Sequence, residues 1–387
     1  MMEKLFLILI YITIIIVLAY FFLIASYCYG WIKTKSIKLK SADSIFVSVI
    51  IAARNEENNI VNCLNALIKQ TYPANKFEII IVDDASTDST NKLIREYSVN
   101  HSNIKLHALT GEGINKGKKA AIGTGIQKAK GELIVTTDGD CLMGEDWLSS
   151  IVSFYLETNA KMIIGPVCYQ NEKGIFEKMQ SLEFMALIAC GGASLFYNKA
   201  IMCNGANLAY PKKVFDEVNG FEGIDEKASG DDVLLMYKIK EKYPKGIKFL
   251  KNEHAIVHTE AKHNLNEFLH QRKRWASKGF SVLNNETKVV SLLVYCINFL
   301  LITMPLIGTL CLGNMAFYPI FIEICLILIL IKCFIDFLLL FLSASFFNKK
   351  RLLIYFLPEQ LIYMLYVAIM GLVGAFGKYE WKGRQIN

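Results

Sequence analysis

Residues 5–29 form an apolar stretch without a single charged side chain. A helix rises about 1.5 Å per residue, so roughly 25 residues can cross the hydrocarbon core of a bilayer once. A cleaved signal peptide is the alternative, but this apolar run is too long and ends in Tyr-Cys-Tyr-Gly-Trp rather than at small residues. We therefore predict a retained anchor over residues 1–30, with its N-terminus outside, followed by a basic linker over residues 31–44.

The C-terminal third contains three more apolar stretches, near residues 289–312, 318–342 and 352–376. Residues 289–376 are thus predicted to form about three transmembrane helices, with a basic tail over residues 377–387. One N-terminal and three C-terminal crossings would put this tail outside, against the positive-inside rule. The number of crossings therefore stays open, since one segment could also lie in the membrane interface.

Polar residues interrupt these C-terminal stretches. Lys332 and Asp336 are four residues apart on one helical face, so we expect them to pair inside the membrane. Such residues either line a path for a lipid or polymer or hold helices together, and the sequence leaves both readings open. Pro358 and Glu359 are expected to interrupt the third stretch.

The charge distribution favours a membrane partner over nucleic acid. The net charge is +7, and basic residues cluster beside the apolar stretches rather than in one patch (Lys33, Lys35, Lys38, Lys40; Arg272, Lys273, Arg274, Lys278; Lys349, Lys350, Arg351). The ten cysteines are scattered without any Cys-x-x-Cys pair, so we expect neither a disulfide framework nor a zinc site. A reduced, cytoplasmic catalytic domain fits this pattern.

Residues 45–280 alternate between strand and helix patterns. Apolar runs of strand length occur at 46–52, 77–82, 104–109 and 133–136, and amphipathic stretches at 56–70 and 118–130 lie between them. This order predicts an α/β domain with a mostly parallel sheet and right-handed crossovers. Ligands of such sheets bind beyond the carboxyl ends of the strands.

Acidic residues follow two of these predicted strands. Asp83 and Asp84 end one run, and Asp138-Gly139-Asp140 ends another, so the four carboxylates are expected to converge on one crevice. The Asp138 and Asp140 carboxylates can hold one hard divalent cation, and Gly139 allows the backbone a close approach. An Asp-x-Asp pair alone is more often a solvated turn, so its neighbours decide its meaning.

Three later stretches each have an ordinary reading beside a functional one. Gly117-Lys118-Lys119 opens a helix and is either a phosphate site or a solvated basic turn. Asp231 and Asp232 begin an apolar helix, where a helix cap is the default. Gln271-Arg272-Lys273-Arg274-Trp275 alone is a juxtamembrane basic patch with an interfacial tryptophan. The dinucleotide and phosphate-loop motifs are absent, which excludes those two site types.

In their order and spacing these motifs resemble the membrane-bound family-two glycosyltransferases, which include cellulose, chitin, hyaluronan and poly-N-acetylglucosamine synthases and ceramide glucosyltransferases. The resemblance covers residues 45–280 and extends in layout to the flanking apolar stretches. It rests on Val-Ser-Val-Ile-Ile-Ala-Ala-Arg-Asn-Glu-Glu, Val-Asp-Asp-Ala-Ser-Thr-Asp, Gly-Lys-Lys-Ala-Ala, Asp-Gly-Asp, Gly-Asp-Asp and Gln-Arg-Lys-Arg-Trp.

This resemblance implies a GT-A fold, the α/β fold of nucleotide-diphospho-sugar transferases, with flanking transmembrane helices. It also implies inverting transfer from a UDP-sugar with Mg²⁺ or Mn²⁺. Asp140 would be the direct metal ligand, with Asp138 near the ribose and the metal. The other donor-site residues implied are Ala52, Arg54 and Glu56 at the base and ribose, Asp83 or Asp84 at the uracil, and Lys118 at the diphosphate.

The resemblance also implies residues for catalysis and for the acceptor. Asp232 matches the last residue of the family's Thr-Glu-Asp motif and would be the general base. Asp231 replaces the glutamate of that motif with a shorter carboxylate, which leaves its role open. Gln271, Arg274 and Trp275 would form the mouth of the acceptor site.

The expected activity is extension of a polysaccharide at a bacterial-type inner membrane, with the catalytic domain in the cytoplasm. Single transfer to a lipid acceptor is the alternative, favoured by the small number of spans unless a partner subunit or homo-oligomer completes a channel. A non-catalytic nucleotide-sugar-binding protein and a nucleotidyltransferase are further classes. The complete acidic set and the basic tryptophan motif count against them. The sugar, the acceptor and the oligomeric state stay open.

Overall fold

The computed structural model describes residues 2–36, 45–109, 117–224, 230–276, 284–313, 316–373, 379–381 and 384–386. Its helices are α1 (Met2–Lys33), α2 (Ile60–Ile68), α3 (Thr90–Asn100), α4 (Lys118–Lys128), α5 (Trp147–Thr158), α6 (Ile175–Phe196), α7 (Lys212–Glu217), α8 (Asp231–Lys242), α9 (Leu265–Ala276), α10 (Asn285–Leu312), α11 (Tyr318–Phe346) and α12 (Phe356–Val373). Its strands are β1 (Val47–Ala53), β2 (Phe77–Asp83), β3 (Ile104–Ala108), β4 (Leu133–Asp138), β5 (Leu142–Met143), β6 (Met162–Ile164), β7 (Val167–Gln170), β8 (Leu208–Pro211), β9 (Ile247–Phe249), β10 (Val257–Glu260), β11 (Tyr379–Trp381) and β12 (Arg384–Ile386).

The central sheet has the strand order β3-β2-β1-β4-β8-β6-β9. Strands β1 to β4 are mutually parallel, as predicted. Strand β8 runs antiparallel to both β4 and β6, so the sheet is mixed. The βαβ rhythm does not predict this strand, because β8 follows a long excursion through α5 and α6 rather than a crossover helix. A second, three-stranded sheet has the strand order β5-β10-β7, and all three of its strands follow β4 in the sequence.

Apolar side chains cover both faces of the central sheet. Along β1, Val49 and Ile51 face the core layer that contains Ile60 and Leu64 of α2. Ile50 faces the opposite layer with α4. Every residue of β1 but one is buried, which is why the run reads as continuously apolar rather than alternating.

Five described helices are long and apolar enough to cross a membrane: α1, α6, α10, α11 and α12. Four of them match the stretches predicted from sequence, and α6 does not. Helix α6 packs between the α/β domain and the other apolar helices, and 67% of its most apolar window is buried. Its first turns contact α9 through Phe176 and Phe268, and its last turns approach Gly30 near the end of α1. Several charged and polar side chains hide this helix from a search for apolar runs (Glu177, Lys178, Gln180, Glu183).

The third C-terminal stretch differs from its prediction. Residues Lys350–Tyr355 form a 3-10 turn, and α12 begins only at Phe356. Pro358 lies in the first turn of α12, so the expected interruption there is wrong. Proline is tolerated at this place because its missing N–H would have no partner within the helix.

Lys332 and Asp336 pair inside the apolar bundle, as their spacing predicts, with 2.7 Å between Nζ and Oδ2. The other Asp336 oxygen accepts from the Tyr20 hydroxyl at 2.7 Å. Lys332 Nζ also donates to Gln360 Oε1 at 2.8 Å, and the Gln360 amide donates to Glu359 at 3.2 Å. We call these five residues the membrane cluster. It ties α1, α11 and α12 together.

Some basic residues named from sequence lie outside the described residues: Lys38 and Lys40 of the linker, Lys278, and Lys378 and Lys382 of the tail. The tail contributes an antiparallel pair, β11 with β12. Strand β11 packs against α9.

Candidate active site

The carboxyl ends of β2 and β4 place their acidic residues at one edge of the sheet, as predicted. Asp83 ends β2 and Asp138 ends β4. Strand β1 runs between them, with Ala53 in register with Asp83 and Ala52 in register with Asp138. The sheet therefore holds the two acidic loops on either side of the residues that follow β1.

The residues after β1 form a loop that is bound to the loop after β2. Arg54 Nη1 donates to the carbonyl oxygens of Asp84 and Ala85, at 2.6 and 2.9 Å. The backbone N–H of Glu56 donates to Thr90 Oγ1 at 2.7 Å. This loop delays α2 until Ile60, so the predicted helix start at residue 56 is wrong. Asn55 takes the left-handed conformation there, which ends regular structure after the strand.

Asp83 and Asp84 are both buried but have different partners. Asp83 Oδ1 accepts from the N–H and the hydroxyl of Ser86, and Oδ2 accepts from Asn91 at 2.9 Å. Both oxygens of Asp83 therefore shape their own loop. Asp84 Oδ1 instead accepts from the N–H of Gly117, at 2.9 Å, and so reaches the N-terminus of α4. Of the two, Asp84 is directed toward the other candidate residues.

Lys118 is surrounded by acidic groups from β4 and α8. Its Nζ donates to Asp138 Oδ1 at 2.6 Å. Burial alone would lower the pKa of Lys118, but Asp138, Asp231 and Asp232 together raise it well above its usual value. We call these four residues the Lys118 cluster. Among the described residues, the Lys118 ammonium group therefore lies near carboxylates from two separate elements.

Gly205 is a residue of this site that the sequence reasoning missed. Its N–H donates to Asp232 Oδ2 at 3.1 Å, and its carbonyl accepts from the Thr136 hydroxyl at 3.0 Å. A Cβ atom at this position would lie 3.4 Å from Lys118 Nζ and 3.6 Å from Asp232 Cβ. The Asn-Gly pair at 204–205, a turn signal just before β8, was the available sign.

Asp231 and Asp232 start α8, as the sequence predicted, with Gly230 before them in the left-handed conformation. The N-cap is Gly230, so neither aspartate caps the helix with its side chain, and Asp232 Oδ1 accepts from the N–H of the next residue, Val233, at 2.8 Å. Its other oxygen, bound to Gly205, faces the Lys118 cluster. Ser229, which precedes this motif, lies outside the described residues.

The side chains of Asp138, Asp140 and Cys141 offer ligand atoms that lie within 4.8 Å of one another. Burial, together with Asp140 and Asp138, raises the pKa of the Cys141 thiol well above its usual value. A thiol is a soft ligand that suits other metals, whereas the two carboxylates are suitable for a hard cation such as Mg²⁺ or Mn²⁺. A divalent cation fits this set of side chains.

Gly139 permits a close approach, although not the one expected. A Cβ atom at Gly139 would lie 3.2 Å from Glu56 Cγ and 3.4 Å from Ile60 Cδ1. The glycine thus lets the loop after β1 pack directly on the Asp-Gly-Asp turn. This contact brings Glu56 beside the candidate metal ligands.

The basic stretch 271–275 lies in α9, where its members have different surroundings. Gln271, Arg274 and Trp275 are half-buried, whereas Arg272 is only 2% exposed. The Gln271 Oε1 atom is buried and has no hydrogen-bond partner among the described residues. The sequence reasoning assigned no role to Arg272, although a spacing of three residues places it on the same side of the helix as Trp275.

Trp275 is connected to the Asp-Gly-Asp turn through the second sheet. Its ring lies 6.1 Å from that of Phe184 in α6, and Phe184 stacks on Tyr169 of β7 at 4.5 Å. Strand β7 pairs with β10, which pairs with β5, and β5 starts two residues after Asp140. The candidate acceptor residues and the candidate metal ligands therefore lie at opposite edges of one small sheet.

Known proteins share this chain's sequence over part of its length. The model of the glycosyl transferase family 2 matches residues 48–219. Glycosyltransferase AglE of Haloferax volcanii is 37% identical over 129 residues, which are 33% of this chain and 41% of that protein. The poly-beta-1,6-N-acetyl-D-glucosamine synthase of Staphylococcus epidermidis is 25% identical over 280 residues, 69% of this chain and 64% of the synthase. The aligned parts span less than two thirds of these relatives.

The mannosyltransferase PcManGT of Pyrobaculum calidifontis, solved with GDP-Man and Mn²⁺, shares the fold. Its TM-score is 0.56 at 18% identity, over 96% of this chain and 99% of that chain. This likeness extends beyond the soluble domain, and the fold is the expected GT-A fold with apolar helices on its flanks. The strand-end carboxylates and the shared fold agree with the family model, and residues 48–219 are similar to the glycosyl transferase family 2.

Proposed function

We propose that this chain is an inverting, metal-dependent glycosyltransferase that transfers a sugar from a UDP-sugar to a growing polysaccharide at the membrane. The observation that carries the proposal is the Lys118 cluster, where three carboxylates from β4 and α8 surround one ammonium group. Beside it, Asp138 and Asp140 offer carboxylate oxygens close enough to share one hard cation, and a metal-bound diphosphate supplies such a cation.

The nucleotide would bind over the ends of β1 and β2. Ala52, Arg54 and Glu56 would lie along the base and ribose. Asp83 or Asp84 would bind the uracil N–H, and Asp84 is the better candidate because it reaches the N-terminus of α4 beside Lys118, whereas Asp83 binds groups of its own loop. Lys118 would turn from Asp138 to the diphosphate.

Asp138 and Asp140 would hold Mg²⁺ or Mn²⁺. When bound, the cation would neutralise the charge that develops on the departing diphosphate. The Mn²⁺ in the structure of the mannosyltransferase with the same fold is consistent with this assignment. The two carboxylates come from one turn, held in place by the Glu56 contact at Gly139.

Asp232 would be the general base. It would take the proton from the acceptor hydroxyl while the hydroxyl oxygen forms a bond to the anomeric carbon. The bond from that carbon to the diphosphate would break, and its electron pair would leave with UDP. This direct displacement inverts the anomeric centre. The bond from the Gly205 N–H fixes one Asp232 oxygen and so orients the carboxylate. Asp231 would add negative charge beside Lys118.

Gln271, Arg274 and Trp275 would receive the acceptor, with the indole ring as a flat apolar surface for a sugar. Similarity to the poly-N-acetylglucosamine synthase favours a polysaccharide acceptor. A second candidate is single transfer to a lipid acceptor, supported by the packing of α9 directly against the apolar helix α12. In either case the soluble domain would lie on the cytoplasmic side of a bacterial-type inner membrane.

Product analysis tests this proposal. Membranes that contain the protein would be incubated with radiolabelled UDP-sugars, with and without EDTA, and separated into organic-solvent extract and precipitated polymer. Label in the polymer supports the first candidate, and label in the extract supports the lipid acceptor. GDP-mannose serves as the contrasting donor, and transfer from it alone would contradict a UDP-sugar donor. Absence of label from both fractions with every donor would leave only a non-catalytic binding protein.

A further inference from the structure

Arg272 is a buried cation that the proposed function does not use. It is 2% exposed, and its Nη2 atom donates to Glu183 Oε2 of α6 at 2.6 Å. Its neighbours Lys273 and Arg274 are half-buried. A buried ion pair is a costly way to pack two helices, because apolar side chains of similar size would stabilise the same contact at least as well. This cost points to a role beyond packing.

Helix geometry places Arg272 beside the proposed acceptor residues. With about 100° of rotation per residue, positions three and four apart share a face of the helix. Arg274 lies about 100° away from Trp275 on this wheel. The shared face consists of Phe268, Gln271, Arg272 and Trp275.

The Arg272 guanidinium lies between two aromatic rings of its own helix. Its Cζ atom is 4.2 Å from the centre of the Trp275 ring and 4.8 Å from that of Phe268. A planar guanidinium stacks on an indole over its whole face and is rigid, whereas an ammonium is a point charge on a flexible stem. The Glu183 carboxylate holds the guanidinium from α6, so the Trp275 ring rests on a fixed planar support.

Two consecutive residues of α6 support Trp275, and only one of them contacts its ring. Glu183 acts through Arg272, and Phe184 faces the indole ring at 6.1 Å between centroids. These contacts define both the position and the tilt of the ring. Since α6 packs on α1 and α11, the apolar helices contribute to this orientation.

We propose that Arg272 and Glu183 are positioning residues that set the orientation of Trp275 for the acceptor. The proposal rests on the proposed function of Trp275 as an acceptor-binding surface. A disordered ring would leave donor binding intact but misplace the acceptor hydroxyl. Water would then compete with the acceptor for the anomeric carbon, and the ratio of sugar transferred to UDP released would fall.

The test compares Arg272→Lys with the control Lys273→Gln in the full-length protein in nanodiscs. Arg272→Lys keeps the positive charge beside Glu183 but removes the planar stacking group. The protein is labelled with 5-fluorotryptophan, and Trp275→Phe identifies the Trp275 signal among those of the four tryptophans. Fluorine NMR, UDP affinity, and the ratio of sugar transferred to UDP released are measured for each variant.

We expect Arg272→Lys to broaden or shift only the Trp275 signal, to leave UDP affinity unchanged, and to lower the transfer ratio roughly tenfold or more, as a displaced reacting group does. Lys273→Gln should match the wild type. An unchanged Trp275 signal, an unchanged transfer ratio, or an equal loss of UDP affinity would overturn the proposal. If Arg272→Lys fails to fold, Glu183→Gln answers the same question. If the wild type transfers no sugar, the proposed function fails, while the fluorine signal still tests the support of Trp275.

Discussion

The Lys118 cluster and the membrane cluster both place a lysine beside carboxyl groups. They differ in how exposed the lysine is and in how many hydrogen bonds join its neighbours. In the membrane cluster Lys332 is 0% exposed, both oxygens of Asp336 accept hydrogen bonds, and the chain of bonds continues through Gln360 to Glu359. In the Lys118 cluster the lysine side chain is 26% exposed and donates to one carboxylate while two others lie nearby.

This difference separates a structural contact from a binding site. In the membrane cluster, hydrogen bonds occupy the buried lysine and both Asp336 oxygens and so stabilise the packing of three helices. Three carboxylates near one half-buried lysine repel one another, and a bound cation relieves this repulsion. Functional sites are often less stable than their surroundings for this reason.

The largest effect is expected from Asp232→Asn. Loss of the general base should lower transfer about 10³-fold, within the range of such effects, while UDP affinity stays nearly constant. The thermal midpoint should not fall, because the asparagine oxygen can still accept from the Gly205 N–H and the repulsion among the carboxylates decreases. Transfer rates, UDP calorimetry and thermal unfolding measure these quantities. Retained turnover would show that Asp232 is not the base. A large fall in the thermal midpoint would show that the Lys118 cluster mainly stabilises the fold.

Asp336→Asn should have the opposite profile. It leaves Lys332 buried without its counter-charge, and breaking a buried pair in this way costs about 3 kcal/mol. The thermal midpoint in detergent should fall, and UDP affinity should not change. The matched control is the double variant Lys332→Met with Asp336→Leu, which removes both charges and should restore much of the lost stability. A variant of normal stability that makes shorter polymer would instead assign the membrane cluster to a product path.

Asp140→Ala tests whether the negative charge at the strand ends serves a metal. UDP affinity in Mn²⁺ should fall about a hundredfold, to the value that the wild type shows in EDTA. Neighbouring carboxylates that do not bind the metal directly cannot replace a direct ligand. Glu145→Ala, which removes an exposed carboxylate five residues later, is the control. The same UDP affinity with and without Mn²⁺ in the wild type would contradict the ligand assignment.

Lys118→Met tests whether Lys118 binds Asp138 in the free protein and the diphosphate in the complex. Its effect on UDP affinity should be smaller than that of Asp140→Ala. Without the ammonium group, Mn²⁺ should bind more tightly in the absence of nucleotide, because Asp138 is no longer paired. UDP should bind about tenfold more weakly, because one charge-assisted bond to the diphosphate is lost. Lys119→Met is the control, since the Lys119 ammonium donates to the carbonyl of Ile224 instead. If the affinities for Mn²⁺ and for UDP changed equally in the same direction, Lys118 would not exchange Asp138 for the diphosphate.

Apolar runs and the residues that end them predicted the strands and the edge of the sheet at which the site lies. The apolar runs ending in Asp83 and Asp138 locate strands β2 and β4 and their edge of the sheet, since strand ends and loops are set by neighbouring residues. The direction of β8 was not predictable in this way, because it depends on pairing with strands distant in sequence. Helix α6 was missed because its charged residues find partners only in the folded protein, as Glu183 does in Arg272.

The candidate site shows the same limit. Residue types and spacing identified Asp138, Asp140 and Asp232, but not their partners. Gly205 contributes only backbone atoms, and its role depends on a contact 27 residues away. Arg272 was passed over because a basic stretch beside an apolar segment is usually solvated, and burial decided otherwise.

The bond between Tyr20 and Asp336 joins residues 316 positions apart, which has a consequence for biogenesis. Helix α1 is synthesised first, yet its polar partner arrives only with α11, after the whole soluble domain has left the ribosome. The last turn of α1 already packs on that domain, with Trp31 against Phe249 at 5.6 Å. Domains generally fold in the order of their synthesis. The α/β domain can therefore form before α11 is synthesised, and the later apolar helices then pack around an α1 whose last turn already contacts this domain.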